Sequence, residues 1–97
     1  MRWIEIITLR YFTTALERLD RIFIPSLKEK CGNGGLLNVR VYRHESIKTD
    51  LSIHLCWDSA KANSMGSNEA HHVIELLKEH GLVNHSVWVE ENSLEGI

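Results

Sequence analysis

Cysteine is scarce in this 97-residue chain, which contains only Cys31 and Cys56. The two residues lie too far apart in sequence for a Cys-x-x-Cys metal knuckle, and two cysteines are too few for a small secreted scaffold held by disulfides. We therefore expect both thiols to be reduced and the protein to be cytoplasmic.

The chain also lacks an excess of charge of one sign and any long hydrophobic run. It has 11 Lys and Arg residues and 13 Asp and Glu residues, for a formal net charge of -2. Without a basic patch, binding to nucleic acid is not expected. The apolar stretch MRWIEIITLRYF includes Glu5, has no small-residue cleavage site and is too short to span a bilayer, so neither an export signal nor a membrane segment is expected.

Length and composition are those of one small globular domain. Hydrophobic residues make up 43% of the chain and charged residues 25%, which are ordinary values for a folded protein. A chain of this length is typical of one domain with one modest core. We predict a single domain over residues 1–91 and a C-terminal tail over residues 92–97.

The first third of the chain predicts a strand and a helix. Residues 2–10 (RWIEIITLR) are rich in β-branched and aromatic side chains, as strands are. Thr14 and Glu17 have the spacing of a capping box, and an apolar stripe with spacings of three and four follows, which predicts a helix. Pro25 is expected to kink or break that helix, and CGNGG (31–35) is expected to end it in a loop with positive φ.

The remainder predicts a hairpin, a second helix and a last strand. Residues 36–44 and 50–58 alternate between apolar and polar side chains and are joined by a short loop. Ser67 is a favourable N-cap for the second helix, and Gly81 is placed to end it in a left-handed C-cap. Residues 84–91 form the fourth strand. The buried stripe of the second helix would be Ala70, Val73, Ile74 and Leu77.

The element order β-α-β-β-α-β is that of the split βαβ, or ferredoxin-like, motif. We therefore predict an α+β fold with a four-stranded antiparallel sheet in the spatial order 4-1-3-2. Both helices should pack on one face of this sheet. The first and third strands are central neighbours in this topology.

The helix-side face of the sheet should carry the apolar members of each strand, because both helices need apolar partners. Glu5 sets the phase of the first strand, since an unpaired carboxylate in a helix–sheet core is costly. Ile4 and Ile6 are thus expected on the helix side, together with Val39, Val41, Leu51, Ile53, Leu55, Trp57, Val87 and Val89. The opposite face would hold Trp3, Glu5, Ile7, Leu9, Asn38, Arg40, Tyr42, His44, Ser52, His54, Cys56, Ser86, Trp88 and Glu90.

Three aromatic side chains on that opposite face would leave a large apolar patch on a monomer. Trp3, Tyr42 and Trp88 together offer about 450–750 Å², compared with about 300–600 Å² for the largest apolar patches of soluble monomers. Covering this area is favourable by roughly 25 cal/mol per Å² before the costs of association. We therefore expect a homodimer formed through the helix-free face of the sheet.

A lone β-α-β-β-α-β chain of 97 residues with an aromatic and polar second sheet face resembles the dimeric α/β-barrel superfamily, which includes antibiotic-biosynthesis monooxygenase-like proteins. The resemblance extends over nearly the whole chain as element order, without a sequence motif. It implies sheets paired in a homodimeric barrel that can enclose a pocket. Members of the superfamily include oxygenases of aromatic substrates, haem-binding proteins and proteins without an assigned activity.

His54, Glu5 and Arg40 are candidate catalytic residues on this face. Glu5 would orient the imidazole of His54 and raise its pKa, and His54 would take a proton from a bound phenol or enol. Arg40 would hold a carboxylate or an enolate oxygen. The alternative for His54 and Glu5 is an interfacial hydrogen bond between two subunits, and the alternative for Arg40 and Tyr42 is an interface cluster.

Four side chains are candidate ligand-binding groups: Trp3, Tyr42, Cys56 and Trp88. Tyr42 would stack on a ligand or donate to it, and the two tryptophans would either line an aromatic pocket or anchor a dimer interface. Cys56 would be a nucleophile only if its pKa were lowered, and is otherwise a small buried residue. The spacings of the six histidines form no metal-ligand set, so no metal and no cofactor is expected.

Three functions fit these observations. The first, which we favour, is a homodimeric module that binds a small aromatic or anionic molecule between the sheet and the partner subunit. The second is a cofactor-independent monooxygenase or isomerase that uses His54 as its base. The third is a structural or regulatory protein-interaction domain without a ligand.

Overall fold

A four-stranded antiparallel sheet forms the centre of the protein in a computed structural model that describes residues 1–11, 25, 27, 29 and 34–94. The strands are β1 (Arg2–Tyr11), β2 (Leu36–Arg43), β3 (Asp50–Asp58) and β4 (Gly81–Val89). Their spatial order is β2-β3-β1-β4, and every neighbouring pair is antiparallel. This is the predicted order 4-1-3-2, so the ferredoxin-like sheet is confirmed.

Helix α1 (Asn68–Leu77) begins where the sequence predicts, at the N-cap Ser67. The Ser67 hydroxyl accepts a hydrogen bond from the Ala70 amide at 3.0 Å, and Glu69 lies in the first turn, at the positive end of the helix dipole. The buried side chains of α1 are the predicted ones: Ala70, Val73, Ile74 and Leu77.

The helix predicted between β1 and β2 lies largely outside the described residues, including its capping box at Thr14 and Glu17 and the remainder of the segment around Pro25. Pro25, Leu27 and Glu29 are themselves helical. The Leu27 side chain is buried in the same hydrophobic cluster as α1. Leu27 therefore packs on the face of the sheet that α1 covers, which agrees with the predicted arrangement.

The glycines at the starts of β2 and β4 behave differently. Gly34 and Gly35 have the predicted positive φ, at 61° and 91°. Gly81, in contrast, does not form the predicted left-handed C-cap of α1; it is the first residue of β4, pairs with Tyr11 and has no positive φ. A Cβ on Gly81 would meet the Arg10 carbonyl, so the close approach of β1 and β4 requires glycine there.

The phase of β1 is opposite to the prediction. Trp3 pairs with Trp57 and Glu5 pairs with Leu55, and residues that pair across antiparallel strands project to the same face. The helix-side face of β1 therefore carries Trp3, Glu5, Ile7 and Leu9, and its other face carries Ile4, Ile6 and Thr8. Glu5 is 0% exposed, but its carboxylate has several donors, so the cost that was expected to exclude it from the core does not arise.

The helix-side face packs on α1 as the hydrophobic core, and the other face of the sheet is covered by no helix in the described ranges. We call this second surface the open face. The placement of the β2, β3 and β4 side chains on it agrees with the prediction. The open face consists of Arg2, Ile4, Ile6, Thr8, Arg10, Asn38, Arg40, Tyr42, Asp50, Ser52, His54, Cys56, Asp58, Leu82, Asn84, Ser86 and Trp88. Among the described residues, no helix has the length and apolar character needed to cross a membrane.

Candidate functional site

His54 occupies the middle of the open face. It is the fifth of nine residues in β3, which is one of the two inner strands of the sheet. Pairing across the sheet places it in one row with three residues from the other strands, which are Arg40, Ile6 and Ser86. Rows of this kind bring side-chain Cβ atoms within about 4.5–5.5 Å of their neighbours. We call this set the central row.

Polar and aromatic groups surround the His54 imidazole on two sides. Its Nε2 lies 2.9 Å from the Ser52 hydroxyl, in hydrogen-bond contact. The Tyr42 ring lies 4.8 Å from the imidazole, centroid to centroid, with the planes inclined by 53°. Arg40 is the direct cross-strand partner of His54. The structure thus brings together three of the predicted site residues, which are Arg40, Tyr42 and His54.

The surroundings of His54 favour its neutral form. Partial burial lowers the pKa of His54 below its ordinary value of 6.5, and the positive charge of Arg40 lowers this pKa further. At neutral pH the imidazole therefore retains a lone pair on one ring nitrogen. A neutral imidazole next to a guanidinium can accept a proton while the guanidinium binds an anionic oxygen.

Shallow grooves lie at both ends of the open face. One groove, of about 340 Å³, includes in its lining Arg2, Ile4, Asn38, Arg40, Cys56 and Trp88. Another groove, of about 400 Å³, includes in its lining Thr8, Arg10, Tyr42, Ser52, Leu82 and Asn84. Both grooves therefore combine apolar surface with an arginine.

The arginines of the two grooves differ in their partners. Arg10 donates two hydrogen bonds to the Asp50 carboxylate, at 2.8 and 3.0 Å, and these bonds lower the pKa of Asp50. Within the described part of the chain, Arg2 and Arg40 form no ion pair with a carboxylate. The groove beside Arg40 is consequently the better site for an anion, although Glu90 also contributes to its lining.

Glu5 does not contribute to this site, contrary to the prediction of a Glu5–His54 pair. The two side chains project from opposite faces of the sheet, because Glu5 is in register with Leu55 while His54 is in register with Ile6. Glu5 instead accepts hydrogen bonds in the core from Trp57 Nε1 at 2.8 Å and from the Ser67 amide at 2.7 Å. The Glu5 carboxylate therefore joins the sheet to the N-terminus of α1.

Two further groups complete the Glu5 cluster. The Ser67 hydroxyl donates to the Glu5 carboxylate at 2.5 Å, and His85 Nε2 lies 3.0 Å from it. From the sequence, Ser67 was expected only as a helix cap, and His85 had no predicted role. One signal could have identified the cluster: a carboxylate within an apolar strand needs donors, and Ser67 and His85 are polar residues in or beside elements that pack on β1.

The other predicted ligand-binding residues divide between the two faces. Trp3 is buried on the helix side, where it stacks on Trp57 with ring centroids 5.2 Å apart and planes inclined by 11°. Its side chain therefore projects to the helix side, contrary to the prediction, although Trp3 also contributes to the lining of the groove beside Arg40. Cys56 is a partly buried free thiol on the open face. Trp88 lies on the open face and donates from Nε1 to the Ser86 hydroxyl at 2.8 Å.

Large apolar side chains on the open face remain in contact with solvent. The exposed fractions are 45% for Tyr42, 58% for Trp88 and 63% for Leu82. These three residues lie on both edge strands and toward both ends of the face. A binding partner that covers all three side chains must therefore extend across the whole open face.

No protein-family model matches the chain, and no sequence of a curated protein matches it. Solved structures do match. A protein of Deinococcus radiodurans described as a candidate antibiotic biosynthesis monooxygenase has 15% identity and a TM-score of 0.73, with 98% of each chain covered. SnoaB, a cofactor-independent oxygenase from Streptomyces nogalater, has 8% identity and a TM-score of 0.70, with 98% of each chain covered.

A dimeric ferredoxin-like protein from an uncultured marine organism also matches, with 12% identity and a TM-score of 0.57. The match covers 96% of this chain and 98% of that one. At these identities the comparisons establish a shared fold. The chain thus has the ferredoxin-like fold found in antibiotic biosynthesis monooxygenase-like structures, over almost its entire length.

Proposed function

We propose that the protein is a homodimeric binding module, in which the open faces of two subunits meet and hold a small aromatic or anionic molecule between them. The observation that carries this proposal is the exposure of Tyr42, Trp88 and Leu82 on one sheet face. Apolar side chains spread over a whole face mark an interaction surface. The structural neighbour that is named as dimeric supports the same assembly.

The chemistry of the groove beside Arg40 supports the proposed ligand class. Trp88 offers an aromatic wall, and Ile4 and Cys56 lie between it and Arg40 along neighbouring strands. Arg2 and Arg40 supply positive charge at this end of the open face. A flat ring with an acidic group would contact the indole with its ring and the guanidinium with its charge.

Sedimentation velocity tests the dimer. The wild-type protein should sediment as a dimer at micromolar concentration, and Trp88→Lys should sediment as a monomer because a charge then lies on the apolar interface. Leu76→Lys is the matched control, since Leu76 is exposed on α1, on the other side of the molecule. A monomeric wild-type protein would contradict the proposal.

Binding of 2-naphthoate and of the neutral 2-naphthol tests the ligand. Arg40→Gln should weaken the binding of 2-naphthoate at least about tenfold, which corresponds to the loss of one charge-assisted contact of about 1.4 kcal/mol, and should leave the binding of 2-naphthol unchanged. Lys61→Gln, in the exposed segment after β3, should change neither. If a stable dimer binds neither compound, the interaction-domain function is favoured instead.

A second candidate function is supported by the neutral imidazole of His54. In this case the protein is a cofactor-independent oxygenase or isomerase, in which His54 removes a proton from an enol or phenol and Arg40 stabilises the resulting oxyanion. One of the structural neighbours is named as a cofactor-independent oxygenase. Phenylpyruvate, which is aromatic, anionic and enolisable, is a suitable probe.

Tautomerisation of phenylpyruvate, followed by absorbance, tests this second function. The wild-type protein should accelerate it, and His54→Ala should lose the acceleration while keeping its fold by circular dichroism. His72→Ala, an exposed histidine on α1, serves as the control. Equal rates for the wild-type protein and His54→Ala would exclude His54 as the base.

A further inference from the structure

The exposed apolar residues determine where a second copy must sit. Tyr42 lies on one edge strand, β2, and Trp88 and Leu82 lie toward opposite ends of the other edge strand, β4. A partner that covers only one edge or one end of the open face leaves part of this apolar surface exposed to solvent. Burial of all three side chains at once therefore requires the two open faces to be centred on one another.

The size of the open face is sufficient for a stable contact. The sheet is about 30 Å long, from nine residues per strand at about 3.3 Å each, and about 19 Å wide, from four strands at about 4.8 Å each. This gives a flat area of about 570 Å², to which the projecting side chains add further accessible surface. A stable interface covers about 800 Å² of accessible surface on each partner. Full overlap of the two faces therefore approaches this value, whereas partial overlap does not.

In a symmetric dimer the same patch is used by both subunits, and the residues nearest the two-fold axis meet their own copies. The centre of the open face lies between the inner strands β3 and β1, at the His54 and Ile6 positions of the central row. We infer that the two His54 side chains face each other beside the two-fold axis, so that the protonation of His54 dissociates the dimer. This inference rests on the proposed function.

A protonated His54 would be a second positive charge beside Arg40, and the described residues around it offer no carboxylate as a partner. β2 contributes Arg40 and Tyr42, and β1 contributes the apolar Ile6. The other open-face neighbours of His54 carry no carboxylate: Ser52, Cys56 and Ser86. Among the described residues, no carboxylate lies on the central row.

The carboxylates of β3 itself are remote from the axis. Asp50 and Asp58 are its first and last residues, and Asp50 is already bound to Arg10. Protonation would thus place two imidazolium and two guanidinium groups close together in an interface that excludes water. Like charges repel strongly in such surroundings. The lowered pKa of His54 in one subunit shows that the site already disfavours the charged imidazole before a partner arrives.

Sedimentation equilibrium of the full chain at two pH values tests this inference. Between a pH of about 7.5 and a pH of about 5.5, which brackets the ordinary titration range of histidine, the dimer dissociation constant of the wild-type protein should rise at least about tenfold. His54→Leu should show the same dissociation constant at both pH values. His72→Gln, which removes an exposed histidine from α1, should retain the pH dependence of the wild-type protein.

The possible outcomes separate the inference from the proposed function. A wild-type protein that is monomeric at both pH values contradicts the proposed function itself. A wild-type dimer with an unchanged dissociation constant overturns the inference and leaves the dimer standing. Persistence of the pH dependence in His54→Leu also overturns it. If His54→Leu does not fold, His54→Gln keeps a polar group in hydrogen-bond reach of Ser52 without a titratable ring and is judged by the same criterion.

Discussion

Glu5 connects four parts of the protein through one carboxylate. It is a residue of β1, and its bonds reach Trp57 in β3, His85 in β4 and Ser67 at the start of α1. Buried polar groups contribute to a unique packing only when all of their partners are present. The loss of the carboxylate therefore leaves an indole N–H and a backbone amide without an acceptor in the core.

We expect Glu5→Leu to lower the free energy of unfolding by about 3 kcal/mol or more. Removal of one member of a buried polar cluster leaves the other members without hydrogen-bond partners. Urea unfolding followed by fluorescence measures this loss. Glu79→Gln, at an exposed position after α1, should change the stability by less than about 0.5 kcal/mol. A Glu5→Leu protein as stable as the wild type would show that the cluster is energetically neutral.

His54 should titrate below its ordinary range in the folded monomer, because burial and then the charge of Arg40 lower its pKa from 6.5. The folded state thus binds this proton less readily than the unfolded state does. The contribution of the neutral His54 imidazole to the free energy of unfolding is therefore fully present above a pH of 6.5, the ordinary pKa. It is lost as the pH falls through 6.5 toward the lower pKa of His54 in the folded state. NMR of the imidazole protons measures the titration directly.

In Arg40→Gln the pKa of His54 should rise without reaching 6.5, since the effect of burial remains. Trp88→Lys provides a monomeric background for this measurement. No change in the titration on removal of the guanidinium would show that Arg40 does not act on His54 electrostatically.

The strands show what the sequence could and could not predict. β2 and β3 each have an apolar and a more polar phase, and the valines of β4 mark its helix-side phase, so the faces of these three strands were assigned correctly from alternation alone. β1 is apolar in both phases, and Glu5 was the only local criterion. That criterion failed because its donors, Ser67 and His85, lie far away in sequence, and a satisfied carboxylate does not carry the cost of an unpaired one.

The candidate site was predicted correctly where it lies on β2 and β3 and incorrectly where it depended on β1. Arg40, Tyr42 and His54 were brought together as predicted, because the hairpin of β2 and β3 fixes their relative positions locally. Trp3 and Glu5 were assigned to the wrong face of the sheet because the phase of β1 was predicted incorrectly. The role of Gly81 was also assigned incorrectly, since its pairing with Tyr11 is a long-range contact that a helix-ending pattern does not contain.

The loop that leads into α1 depends on Gly66. Its φ is 88°, and a Cβ there would meet the His85 ring and lie 3.0 Å from a Glu5 carboxylate oxygen. We expect Gly66→Ala to lower the free energy of unfolding by more than about 2 kcal/mol, because backbone strain of about 1–2 kcal/mol and a steric conflict with the Glu5 cluster add together.

Gly34→Ala is the matched control for this prediction. Gly34 also has a positive φ, 61°, but a Cβ there would have nothing within 4 Å. The control should therefore show only the backbone cost of about 1–2 kcal/mol. Thermal or urea unfolding of both variants gives the comparison, and equal losses would show that the loop can move away from His85.

For the protein as a whole, coverage of the open face should make stability depend on concentration. A partner that binds only the folded chain raises the unfolding midpoint by mass action. For two subunits of this length we expect Tm to rise by about 3 °C for each tenfold increase in protein concentration. Differential scanning fluorimetry over a dilution series measures this slope.

Leu82→Lys should flatten the concentration dependence, because Leu82 lies on the open face at the end opposite Trp88. Leu76→Lys on α1 should leave the slope unchanged. A Tm of the wild-type protein that does not vary with concentration would argue against self-association through this face.

The three tryptophans give the native chain its own optical probes. Trp3 and Trp57 are stacked in the core, so their transitions couple and should produce a near-ultraviolet circular dichroism signal that disappears on unfolding. Trp88 stands apart from them with 58% of its surface exposed, so an aqueous quencher such as iodide should reach it alone. Its shielding from iodide would report occupancy of the open face, without a label and independently of folding.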